Sequence, residues 1–194
     1  MSKARTVHVD ANFPAHAGPG LSFSATLVHG AGVSATFDLH GKKLDIVKQG
    51  DELYVKGYSR PIAAALGIAR RAGLARRWIE VHLPNPLVGR VDLGAATHLS
   101  ELVSLPFASM KAPRITGNEV VGGIRAEAVQ SAGEAVTVYI ERAAPHYPVA
   151  VDGDGVAFTY SRWGRPAHIA APHDALPLAR LQARSAGHAA RLPV

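Results

Sequence analysis

The chain has no cysteine among its 194 residues. Disulfides, thiolate metal sites and cysteine nucleophiles are therefore excluded. No apolar run approaches the ~18–20 residues that a membrane-spanning helix needs, so the chain reads as soluble. Aromatic residues make up only 6% of the sequence and are not interleaved with the basic ones, which argues against stacking on single-stranded nucleic acid. Acidic residues are also in the minority, 15 Asp and Glu against 21 Lys and Arg, for a net charge of +6. The positive charge is spread along the chain with one concentration near 70–77, so the reading is no nucleic-acid partner. The motif search is negative as well. G-x-S-x-G, H-E-x-x-H, a Walker-type loop and G-x-G-x-x-G are all missing. Ten histidines invite a metal, yet none forms an i, i+2 or i, i+4 pair, which leaves His8 with His40 as a cross-strand possibility. The expectation is no catalytic residue, no metal and no cofactor.

What is present is alternation. With 47% hydrophobic residues and a mean hydropathy of +0.06, the chain is sufficient to bury one core. Period-2 runs occur at Thr6 to Asn12, Leu21 to Val28, Val33 to His40, Leu44 to Lys48, Glu52 to Lys56 and Trp78 to Val81. A second series follows at Arg114 to Val121, Ile124 to Val129, Ala135 to Glu141, Tyr147 to Val151 and Val156 to Ser161. Gly50, Gly122-Gly123 and Asp152-Gly153-Asp154-Gly155 punctuate them as turns. Two antiparallel meanders are expected.

Between the fifth and sixth runs lies an Ala/Leu/Ile/Arg-rich segment. Ser59 supplies an N-cap oxygen, Pro61 suits the first turn, and Ile62, Leu66, Ala69 and Gly73 fall on one helical face with Ile68 beside them. A main helix is expected over Ser59 to Arg77. Arg70, Arg71, Arg76 and Arg77 collect at its end, where positive charge complements the helix dipole. A shorter helical piece is expected at His98 to Ser104, inside an apolar insertion carrying Leu99, Leu102, Leu105 and Phe107. The fold class that results is α+β, with an antiparallel sheet covered by one main helix and a shorter one. Residues 1–172 are assigned to one domain and 173–194 to a flexible tail.

Several stretches, taken in order, resemble the actinobacterial LppX/LprG-type lipoproteins. They are GDELYVKG (Gly50 to Gly57), RRWIEV (Arg76 to Val81), ITGNEVVGGIRAEAV (Ile115 to Val129), PHYPVAV (Pro145 to Val151) and FTYSRWGRPAHIAAP (Phe158 to Pro172). The resemblance implies a strongly curved half-barrel of the LolA/LolB type wrapped around helices. It also implies non-catalytic binding or transport of lipids or lipoprotein acyl chains in the cell envelope. An N-terminal signal and lipidated cysteine would then precede Met1, whereas the residues alone fit a cytosolic protein equally well. On this reading the ligand-binding residues are Phe37, Tyr54, Ile62, Leu66, Ile68, Leu99, Leu102, Leu105 and Phe107. Arg70, Arg71, Arg76 and Arg77 would meet lipid phosphates or an anionic membrane surface. The other reading is an envelope sensor or protein-interaction module with a closed half-barrel, in which the insertion serves as a docking surface.

Overall fold

A computed structural model describes residues 4–13, 21–39, 41–57, 66, 74–83, 110–133, 135–153 and 155–189. Among them the architecture is one twelve-stranded sheet. The first meander is β1 (Thr6–Phe13), β2 (Leu21–Val28), β3 (Gly32–Leu39), β4 (Lys42–Gln49), β5 (Glu52–Gly57) and β6 (Ile79–His82). The second is β7 (Arg114–Val121), β8 (Ile124–Gln130), β9 (Thr137–Glu141), β10 (Pro148–Gly153) and β11 (Val156–Ser161). β11 returns to pair antiparallel with β1, with Val9 opposite Tyr160, and this single seam joins the two meanders. A two-residue strand, β12 (Leu176–Pro177), then pairs parallel with β6 at the far edge and leads into helix α1 (Leu178–Ala189).

The strands form where alternation and turn chemistry agree. Val121 pairs with Ile124, so only Gly122 and Gly123 turn the β7–β8 hairpin. Both have positive φ, 57° and 83°, as a twist-compatible two-residue turn requires, and glycine reaches that region without penalty. Gly32 is a steric case: a Cβ there would collide with the Lys48 carbonyl oxygen on β4.

Directly opposed residues in a sheet share a face, so the registers sort the side chains. One face carries Val7, Val9 and Ala11 of β1, Phe23 and Ala25 of β2, Ala35 of β3, Ile46 of β4, Leu53 and Val55 of β5, and Ile79 and Val81 of β6. Leu66 and α1 pack on it, with Leu66 fully buried among Ile46, Leu53, Val55, Val81, Leu178 and Leu181. We call this the helix face. Residues 162–175 link β11 to β12, and beyond Trp163 they cross the opposite face as a strap. Thr6 Oγ1 donates to the Arg165 carbonyl at 2.6 Å, Gln49 Nε2 donates to the Ile169 carbonyl, and Ile169 is buried against Val47 and Tyr54. The chain therefore closes over one face, turns the β6 edge and ends on the other.

One expectation requires correction. The α+β class built on a main helix is replaced by a sheet protein, because the described residues hold twelve strands and one helix of 12 residues. Of Ser59 to Arg77, Leu66 and residues 74–77 are described, with a 3-10 turn at Leu74–Arg76; the remainder, and His98 to Ser104, lie outside the described residues. The helix that is described lies in the stretch assigned to a flexible tail. Its Leu178 and Leu181, three residues apart and so on one helical face, are buried at 4% and 8% exposure in the core. The eleven alternating runs correspond to β1–β11, with shifts of a residue or two at most ends.

Candidate functional site

The helix face is apolar from one end of the strands to the other. At the β1–β2 connection end, four phenylalanines gather: Phe23 lies 5.6 Å from Phe37, 6.1 Å from Phe13 and 6.2 Å from Phe158, ring centre to ring centre. Tilted and edge-on pairs of this kind hold one another in place. Small residues follow in the middle, Ala11, Ala25 and Ala35, each buried. Phe37 is half-buried and touches both main core clusters, so it links the β1–β3 part of the face to the β4–β6 part.

At the opposite end, beside the β2–β3 turn, the face opens into a cleft of about 420 Å³. Val7, Leu27, Val33 and Trp163 give it apolar walls, and all four belong to or pack against the β1–β3 core cluster. Trp163 is pinned: its indole Nε1 donates to the Pro148 carbonyl at 2.8 Å, and its ring stacks on Tyr147 at 4.9 Å. Arg5, His29 and Lys48 also line the cleft, and among the described residues no carboxylate does. Gly30 and Gly32 in the turn keep the mouth free of side chains. Their cause is local, since β2 and β3 reverse over 29–31 with the Ala31 amide donating to the Val28 carbonyl at 3.0 Å.

The strap face is polar where the strap does not cover it. His8 Nδ1 lies 2.9 Å from Thr26 Oγ1, while Ser24 Oγ and Asp10 Oδ2 both approach His8 Nε2, each at 3.3 Å. Ser24 and Asp10 share one ring nitrogen, Thr26 meets the other, and with His8 opposite Thr26 and Asp10 opposite Ser24 the group forms a cross-strand polar ladder. It continues through Thr36, which donates to Asp45 at 2.9 Å, and through Lys56, 3.3 Å from Asp45 and 4.8 Å from the Trp78 ring centre. Among the described residues no group of three or more His, Asp or Glu is placed to hold a metal ion.

The residues singled out in the sequence divide by face. Phe37 and Leu66 lie on the helix face, Leu66 with its carbonyl accepting from Gln182 Nε2 at 3.0 Å. Tyr54 lies on the strap face beside Ile169, apart from them, because successive strand residues point to opposite sides. Burial, then the nearby Glu80 and Glu52 carboxylates, raises its phenol above the ordinary range. Arg76 and Arg77 are exposed beside the 3-10 turn. Ile62, Ile68, Leu99, Leu102, Leu105, Phe107, Arg70 and Arg71 lie outside the described residues. The cationic cleft is not anticipated by the sequence. Its signal is two short stretches, His29-Gly30-Ala31-Gly32 and Lys48-Gln49-Gly50, which read only as turns, and their convergence with Arg5 and Trp163 is tertiary.

No protein-family model matches the chain, and no curated protein does. Several solved structures are similar. An uncharacterised conserved protein from Thermus thermophilus superposes with a TM-score of 0.41 at 12% identity, covering 90% of each chain. A LolA superfamily protein from Nitrosomonas europaea gives 0.30 at 12% identity, over 86% of this chain and 87% of the other. A DUF1329 family protein from Desulfovibrio piger gives 0.31 at 11% identity, over 86% and 89%. Likeness at this level supplies no functional argument.

Proposed function

We propose that the protein binds and carries a lipid or acyl chain without chemical turnover. The observation that carries the proposal is the open, apolar-walled cleft at one end of the helix face, whose walls are continuous with the buried β1–β3 core that leads to the phenylalanine cluster. Each methylene removed from water is worth about 0.8 kcal/mol, so an aliphatic chain binds such a surface with few polar contacts. An envelope location is carried by the sequence resemblance to LppX/LprG-type lipoproteins. Arg76 and Arg77, exposed next to Trp78, are the described cations suited to an anionic membrane surface.

The test is extraction of the purified, denatured protein with organic solvent, followed by mass spectrometry. Stoichiometric acyl lipid is the expected result. An empty extract, together with no rise in melting temperature on adding fatty acid or phospholipid, removes the carrier reading. For the membrane contact, Arg76→Glu with Arg77→Glu is expected to weaken association with anionic liposomes at low salt, and unchanged association rules that contact out.

A further inference from the structure

The cleft beside the β2–β3 turn has a composition that an apolar carrier surface does not need. Arg5, His29 and Lys48 converge on it from the residues before β1, the turn and the end of β4, and among the described residues the lining contains no Asp or Glu. Two basic groups elsewhere on the sheet have an acidic neighbour: Lys56 pairs with Asp45 and Arg142 lies near Glu127. Among the described residues, neither Arg5 nor Lys48 has a carboxylate partner, and nor does His29. Like charges gathered without a counter-charge repel one another and favour an incoming anion. The wall behind them is apolar, with Val7, Leu27 and the pinned Trp163 continuous with the helix-face core.

From this juxtaposition we propose that the cleft is the head-group subsite for an anionic single-chain amphiphile: a carboxylate or phosphate head held by Arg5, Lys48 and His29, with the aliphatic chain passing over Val7, Leu27 and Trp163. The proposal rests on the carrier reading of the same face and names its ligand class. A volume of about 420 Å³ lies at the lower end of the range for small-molecule sites, ~300–1,000 Å³, and suits a head with the start of one chain. Arginine meets either anion through paired N–H groups and lysine as a point charge, so the two head types share one recognition chemistry. The stacked, hydrogen-bonded Trp163 gives the chain a wall that is already in place.

The test is calorimetric titration of the full chain at pH 7 with monomeric decanoate, decyl phosphate and decanol, equal in chain length and different in head. The same series is run on the double variant Arg5→Gln, Lys48→Gln, with Trp163 fluorescence followed in a Trp78→Phe background. Both anions are expected to bind about tenfold or more tightly than decanol, as charge-assisted bonds do relative to neutral ones. Their order identifies the head. The double variant is expected to bind all three alike while retaining decanol affinity and far-ultraviolet circular dichroism. Equal binding of decanol and the anions by the unmodified chain, or selectivity that survives the double variant, overturns the head-group site and leaves the carrier reading standing. Absence of binding by all three overturns both.

Discussion

Strands β5 and β7 look alike in sequence and have opposite fates. ELYVKG of β5 buries three consecutive residues, Leu53, Tyr54 and Val55, at 0%, 8% and 1% exposure. RITGNEVV of β7 leaves Ile115 and Val120 exposed at 63% and 68%. A pleated strand with both faces buried needs a covering layer on each. β5 has both, because Leu66 and α1 lie on one side and the strap with Ile169 on the other. β7 is the sheet's other edge, and Ile115 and Val120 remain open. The lesson is that alternation sets which residues share a face, while the returning chain decides which face becomes core.

The strongest way to break the contrast is to remove the cover from β5. Ending the chain at Pro172 deletes β12 and α1 and strips Leu178 and Leu181 from the cluster around Ile79 and Val81. We expect loss of a cooperative thermal transition by circular dichroism and a gain in binding of a hydrophobic dye. A melting curve like that of the full chain would remove α1 from the core. A single-residue comparison is next in size. Leu53→Ala should cost about 2–5 kcal/mol in urea unfolding, as fully buried leucines do, whereas Val120→Ala should stay within ~0.5 kcal/mol. Equal costs would mean that β7 is covered in solution.

The turns offer a sharper and smaller contrast. At Gly32 the φ is 139° and an added methyl meets the Lys48 carbonyl, while at Gly122 the φ is 57° with open space around the Cβ position. Gly32→Ala should therefore destabilise by more than Gly122→Ala, whose cost is the ~1–2 kcal/mol of a left-handed alanine. Urea midpoints of the two variants decide the order. The smallest effect expected is at the exposed β5–β6 pair, where His82 Nδ1 lies 2.8 Å from Glu52 Oε1. The hydrogen bond to Glu52, then its charge, raises His82 above the usual imidazole value. Protonated His82 therefore favours the folded state. That contribution is complete below the ordinary value near 6.5 and is lost as pH rises through the raised one. An NMR titration should show the His82 midpoint falling in Glu52→Gln, and an unmoved midpoint would break the pair.

Much of the sheet was legible because its cues are short-range. Val121-Gly122-Gly123-Ile124 announces a two-residue hairpin within four residues, and LSFSATLV shows its own faces. The candidate site was legible only in part. Alternation alone separates Tyr54 from Leu53 and Val55, so its place on the strap face followed once those two were assigned to the core. Leu178 and Leu181 carried the i, i+3 signal of a buried helix stripe, but the Arg-, Ala- and Pro-rich surroundings read as tail. β12 has two residues and no pattern to detect, since its place is defined by Ile79 and Glu80 on a strand almost a hundred positions earlier.

The sequence by itself determined the strands of both meanders, their turns and the two faces, since side-chain period, β-branching and glycine act between neighbours. Only the tertiary structure decided that β11 seats beside β1, that the strap crosses one face before α1 covers the other, and that Arg5, His29 and Lys48 meet at one cleft. These depend on contacts such as Thr6 to Arg165, 159 residues apart. Such contacts form when the whole chain buries its apolar surface, and no local stretch encodes them.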